Sequence, residues 1–105
     1  MISVILSTHN DEKTISDAIK SILNQSYYNF ELIIINDGSN DNTKQVIKSF
    51  NDKRIVYLEN KKNIGRSRSR NNAIKISKGD FIAIIDGDDI AAPNRLHVQI
   101  NYLMP

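Results

Sequence analysis

The chain has 105 residues, 40% of them hydrophobic and 25% charged, a balance that fits a folded domain and excludes a disordered or fibrous segment. One modest core fits this length, and with no cysteine there is neither a disulfide nor a thiolate metal site to support it. The net charge of +2 conceals a local excess, because Lys61, Lys62, Arg66, Arg68 and Arg70 fall within ten residues.

That basic segment reads in two ways, as a surface for an anionic partner or as a solvated loop and helix face. Nucleic acid is not expected, since no aromatic residue interleaves the cluster as a stacking platform. The apolar runs Val4 to Leu6 and Leu32 to Ile35 fall far short of the ~20 residues needed to span a bilayer. No basic segment precedes the first apolar run, so Ile2 to Leu6 reads as a strand and not as a signal peptide. A cytoplasmic location is expected, with peripheral attachment to a membrane left open.

Apolar stretches rich in Ile and Val alternate with segments of helical spacing, the signature of a doubly wound α/β fold. The expected architecture is a mostly parallel, four-stranded sheet with helices on both faces. Ser3 to Ser7 is the first strand. Ile15, Ala18, Ile19, Ile22 and Leu23 recur on one helical face, giving a helix from near Glu12 to about Gln25. After a turn through Tyr27 to Asn29, Glu31 to Asn36 carries an unbroken apolar run, as a strand covered on both faces requires. The polar loop Asp37 to Asn42 leads to a short helix marked by Val46, Ile47 and Phe50, and Arg54 to Glu59 makes the third strand. The third helix is expected over roughly Ser67 to Ser77, with Gly79 ending that unit. Phe81 to Ile85 is the fourth strand, and Pro93 is placed to open a last helix that buries Leu96, Ile100 and Leu103.

Three strands end in an abrupt switch from apolar to polar: Leu6 into Ser7, Thr8, His9 and Asn10; Ile35 into Asn36, Asp37, Gly38 and Ser39; Ile85 into Asp86, Gly87, Asp88 and Asp89. Open α/β sheets bind ligands at the carboxyl ends of their strands, so these residues are expected to converge on one crevice. Asp86, Asp88 and Asp89 crowd carboxylates around Gly87, and their joint ionisation is costly unless a cation neutralises them. Oxygen donors without nearby Cys or His favour Mg²⁺ or Mn²⁺. The same residues read equally as an acidic turn capping the following helix. Neither GxGxxG nor a P-loop follows the first strand, so a bound diphosphate would be neutralised by metal at Asp86 and Asp88 together with arginines, notably Arg70. Asp37 can accept hydrogen bonds from a nucleobase or from local backbone, and Asp41 is expected to cap the second helix.

With these motifs in order, the chain resembles the amino-terminal, nucleotide-binding part of a family 2 glycosyltransferase of GT-A fold, over residues 1 to 105. Ser3 to Asn10 resembles the family's opening strand and Pro-Thr-Tyr-Asn turn, and Phe30 to Thr43 its Asp-Asp-Gly-Ser segment. Asn63 to Asn71 resembles the Asn-x-Gly-x-Ser-x-x-Arg-Asn segment, and Asp86 to Asp89 the Asp-x-Asp motif. Ser7 stands for the usual Pro, Asn36 for the first Asp of its pair, and His9 where Tyr is common. The resemblance implies that Ser7, Thr8 and Glu12 lie against a nucleoside, Asp37 contacts the base, Arg70 lies near the diphosphate, Asp86 contacts ribose or diphosphate, and Asp88, with Asp86, holds the metal. It implies a nucleotide-diphosphate sugar donor, with UDP favoured, Mn²⁺ or Mg²⁺ as cofactor and a hydroxyl acceptor. The family's catalytic base and acceptor segment lie beyond the part matched, so a fragment is expected. Its missing half would leave a core face exposed for self-association. A metal-dependent nucleotidyltransferase and a noncatalytic nucleotide-sugar binding module are the competing functions.

Overall fold

The computed structural model describes residues 1–103, with side chains placed through residue 101. Four strands, β1 (Ile2–Thr8), β2 (Phe30–Asp37), β3 (Ile55–Asn60) and β4 (Phe81–Asp86), form one sheet in the order β3-β2-β1-β4. Every neighbouring pair is parallel, so the expected mostly parallel sheet is wholly parallel among the described residues. The helices are α1 (Ile15–Leu23), α2 (Thr43–Lys48), α3 (Arg66–Ile76) and α4 (Arg95–Leu103).

Side-chain alternation along the strands sorts the interior into two layers. Val4, Leu6, Leu32 and Ile34 pack with Ile15, Ile19 and Ile22 of α1, Ile47 of α2 and Leu96 of α4. Ile5, Ile33 and Ile35 face the other way, onto Ala73 of α3. Helices therefore cover both faces, as the alternating pattern implies. Both central strands are buried along their whole length, which is why β2 tolerates an unbroken apolar run. Each fully buried Ile or Leu side chain contributes about 1.5–3 kcal/mol through apolar burial, and these central strands supply much of the core.

Two element boundaries differ from the sequence expectation for local reasons. The helix expected from Glu12 begins at Ile15, because Asn10 takes a left-handed φ of 53° and the Asp11 carbonyl accepts the Thr14 and Ile15 N–H groups in a preceding turn. Asparagine tolerates that conformation better than most residues. Pro93 stands in a turn before α4 instead of opening it; its carbonyl accepts the Ser26 N–H, and Gln25 Oε1 accepts the Leu96 N–H at 3.0 Å. Leu96 is buried and Ile100 packs against the core, while the expected burial of Leu103 lies outside the described side chains. On the α3 side of edge strand β4, Ile82 and Ile84 remain 40% and 39% exposed.

Candidate functional site

Alternation also decides which polar residues meet at the carboxyl edge. Ser7, Asp37, Asn60 and Asp86 stand at the carboxyl ends of their strands on the α3 side, Ser7 one residue before the end of β1, whereas Tyr57 and Asn36 face α2. A crevice of about 340 Å³ opens at this edge. Strand β1 and its turn contribute Ser7, Thr8, His9 and Asp11; β2 contributes Asp37; the approach to α3 contributes Asn63, Gly65 and Arg66; and β4 with the turn after it contributes Asp86 and Asp88. The expected convergence of three strand ends is thus present in the geometry.

Asp37 is 4% exposed, and its carboxylate is already engaged by backbone from another part of the chain. Oδ1 accepts the Ile64 N–H at 2.8 Å and the Asn60 amide at 3.0 Å, while Oδ2 accepts the Gly65 N–H at 3.0 Å. Burial opposes its ionisation, but the donors Ile64, Asn60 and Gly65, with Ser69, outweigh burial and hold the carboxyl below its usual range. Asp37 therefore anchors the turn into α3 in addition to lining the crevice. Gly38 next to it has φ +63°, and a Cβ there would collide with the backbone of Lys62 and Asn63.

Asp86 is held by cations from α3. Its Oδ1 accepts Arg70 Nη2 at 2.7 Å and Ser7 Oγ at 3.2 Å, and Arg66 Nη1 stands 3.6 Å from Oδ2. Arg70 is half-buried and reaches Asp86 from beside the crevice, whereas Arg66 is 65% exposed and lines it. The basic segment is accordingly divided: part of it neutralises the acidic strand end.

Asp86, Asp88 and Asp89 each offer a carboxylate oxygen within 4.8 Å of the others. Their donor set is all oxygen, which fits a hard divalent cation. The alternative of an acidic helix cap does not fit, because α4 starts at Arg95 and the Asp89 carboxylate instead accepts the Asp86 N–H at 3.3 Å. The intervening turn is clamped from β1 and α1: Gly87 N–H donates to the Ser7 carbonyl, and Thr14 Oγ1 donates to the Gly87 carbonyl at 2.9 Å. A Cβ on Gly87 would lie 2.5 Å from Asp11 Oδ2 and 2.6 Å from Thr8 Oγ1.

Glu12 lies apart from the main crevice. It borders a smaller cavity with Asp41 and Asp88, and its Oε2 accepts the Asn42 N–H at 3.2 Å. Asp41 accepts both the N–H and the hydroxyl of Thr43, closing the start of α2 as expected. Residues without an assigned role in the sequence reading also enter the crevice wall: His9, Asp11, Asn63, Gly65 and Arg66. His9 Nδ1 lies 2.6 Å from the Asp37 carbonyl, and Asp11 Oδ2 accepts Thr8 Oγ1 at 2.7 Å. Asn63 and Gly65 belong to the Asn-x-Gly segment, which was the available signal for them. Asn36, in place of the usual first Asp, donates to Tyr57 Oη, which in turn donates to Glu59 at 2.7 Å. Burial and the Glu59 acceptor push the Tyr57 hydroxyl up to about 12, against the opposing pull of Asn36.

A parallel sheet, helices on both faces and a polar crevice at the carboxyl edge make this a doubly wound α/β fold, and its likeness to solved glycosyltransferases makes it one of the GT-A class. The chain matches the model of Glycosyl transferase family 2 over residues 3–104 and belongs to that family. It is 42% identical to an uncharacterized glycosyltransferase of Methanocaldococcus jannaschii, covering 98% of this chain and 37% of the relative. It is 41% identical to Escherichia coli WfgD, a UDP-Glc:alpha-D-GlcNAc-diphosphoundecaprenol beta-1,3-glucosyltransferase, covering 99% of this chain and 41% of that one. The chain thus spans about two fifths of the length of these curated relatives. Among solved structures, S. aureus TarS 1-349 in complex with UDP superposes with a TM-score of 0.90 at 28% identity, over 97% of this chain and 31% of that one. The Pyrobaculum calidifontis mannosyltransferase PcManGT, in complex with GDP-Man and Mn²⁺, also gives 0.90, over 99% of this chain and 32% of that one; at 22% identity it bears on fold alone. Among the described residues, no helix is long and apolar enough to cross a membrane.

Proposed function

We propose that this chain is the donor-binding part of a glycosyltransferase, holding a nucleoside-diphosphate sugar and a divalent cation for transfer of the sugar to an acceptor hydroxyl. The observation that carries the reading is the meeting of Ser7, Thr8, Asp37, Asp86 and Asp88 in one crevice with Arg66 on its wall. UDP is the favoured nucleotide, since WfgD is named for UDP-Glc and TarS superposes in complexes with UDP and UDP-GlcNAc. WfgD's diphosphoundecaprenol-linked acceptor supports a role in polysaccharide assembly. Family membership favours sugar transfer over nucleotidyl transfer.

In this reading Asp88 and Asp86 hold Mn²⁺ or Mg²⁺, and Asp89 supports the turn. A divalent cation bound there supplies Lewis acidity that stabilises charge building on the departing diphosphate. Ser7 and Thr8 bound the nucleoside side of the crevice, Asp37 positions the base, and Arg70 and Arg66 balance phosphate charge. The carboxylates of Asp11, Asp37 and Asp86 are committed to hydrogen bonds or ion pairs, so the base that deprotonates the acceptor is assigned outside these residues.

A thermal-shift comparison of UDP, GDP, CDP and dTDP sugars, each with and without Mn²⁺, tests the proposal. Saturation at about one hundred times the dissociation constant stabilises the native state by about 2.7 kcal/mol, equivalent to a rise on the order of 10 °C for a domain of this size. UDP compounds with Mn²⁺ are expected to give the largest rise. The absence of a shift with every nucleotide would overturn the proposal.

A further inference from the structure

Two arginines approach Asp86, but on different terms. Arg70 makes a short, half-buried contact to the Oδ1 that also accepts Ser7, and Arg66 faces the other oxygen from 3.6 Å while remaining 65% exposed. The longer distance makes the Arg66 contact an ion pair without a well-formed hydrogen bond. Such exposed pairs are weak and easily exchanged. The backbone beneath it is fixed, because Asp37 accepts the N–H groups of Ile64 and Gly65 immediately before α3. Arg66 is thus a long cationic arm on a rigid base. It borders the same crevice as Asp88 and faces the Asp86 oxygen left unused by Arg70 and Ser7.

We propose that Arg66 is an exchangeable counter-cation: it balances Asp86 while the donor is absent, then passes to the diphosphate when a divalent cation engages Asp86 and Asp88. This inference rests on the reading of the crevice as a nucleoside-diphosphate site. A guanidinium and a metal ion cannot both approach Asp86 Oδ2 closely, since their like charges repel. Phosphate oxygens give the displaced guanidinium a better partner, with charge and geometry suited to paired hydrogen bonds. Metal and diphosphate then assist one another through one side chain, while Arg70 keeps Asp86 oriented throughout.

The arrangement predicts effects of opposite sign from one substitution. Arg66→Gln removes the competitor for Asp86 and the partner for phosphate together. Calorimetric titration of Mn²⁺ alone, and of UDP at saturating Mn²⁺, is made on the wild type, Arg66→Gln and Arg68→Gln. Arg66→Gln should bind Mn²⁺ alone about threefold more tightly and UDP about tenfold more weakly, the scale of one lost charge-assisted contact. Arg68→Gln, which removes an exposed charge of the same segment outside the crevice wall, should leave both affinities within about twofold. Circular dichroism of each variant verifies folding.

If Arg66→Gln leaves either affinity unchanged, moves both in one direction, or behaves as Arg68→Gln does, the exchange is refuted even though the wild type binds UDP. If the folded wild type binds none of UDP, GDP, CDP and dTDP with Mn²⁺, the proposed donor function fails and the exchange fails with it.

Discussion

Replacing Asp37 by Asn tests whether this carboxylate fastens α3 to the sheet edge. The wild-type side chain is 4% exposed and accepts from Asn60, Ile64 and Gly65. An asparagine keeps one acceptor oxygen but turns an amide NH₂ toward at least one of these donors. Loss of one charge-assisted hydrogen bond at a buried position costs about 1.5–3 kcal/mol, or on the order of 10 °C in melting midpoint for a domain of this size. Because hydrogen bonds depress the folded pKa below the ordinary 3.8, the ionised carboxylate stabilises fully above that value and loses its advantage as pH falls through the folded value. Thermal melts of both proteins should therefore differ fully near pH 7 and converge below about pH 4. Equal midpoints at neutral pH, or a gap that persists unchanged on acidification, would refute the anchoring role. A parallel UDP titration of folded protein checks the base contact separately: weaker binding and blurred base preference are expected for the variant.

Gly87→Ala should cost about 1–3 kcal/mol through overpacking and displace the acidic turn, since its Cβ would meet Asp11 and Thr8; chemical denaturation and Mn²⁺ titration measure the two effects. Asp88→Asn should remove most of the Mn²⁺-dependent gain in UDP affinity, whereas Asp89→Asn, whose carboxylate supports the Asp86 N–H, should retain more of it; the reverse order in calorimetry would reverse the assignment. Exposed Ile82 and Ile84 should make sedimentation concentration-dependent, and joint substitution by Lys should remove that dependence; a monomer at all concentrations would show that this face does not self-associate.

Strand content was legible because Ile-rich runs leave little alternative to a buried sheet, and α1 because its apolar positions repeat at helical spacing. Its start was less legible: the left-handed Asn10 and the Asp11-centred turn arise from contacts to the segment around Ser39 and Asn40. The convergence of Ser7, Asp37 and Asp86 followed from strand polarity. Its internal charge balance did not, because a sequence does not say which arginine on α3 faces β4. Glu12 shows the same limit: the family resemblance implied a place against the nucleoside, but the turn carries its carboxylate toward the Asn42 N–H. Buried Glu31 gives a further instance, since Ser3 and the Lys78 N–H satisfy it at 2.6 Å from elements distant in sequence.

The strand order explains why acidic and basic segments meet. From β1 to β2 to β3 the chain advances across the sheet in one direction, with α1 and α2 packed on one face. To reach β4 it must return past β1, and a right-handed parallel crossover made in the opposite direction carries α3 over the opposite face. The crevice opens on this α3 side of the carboxyl edge, the edge at which open parallel sheets bind ligands. The reversal also lays the basic start of α3 across the carboxyl edge, where Arg70 pairs with Asp86 and Arg66 borders the opening. One change of direction therefore supplies both the cavity and the cations that make an acidic strand end sustainable before donor binding. Moving Arg70 to Lys would preserve charge but not the planar donor geometry, so the orientation of Asp86 depends on this crossover helix as much as on β4 itself.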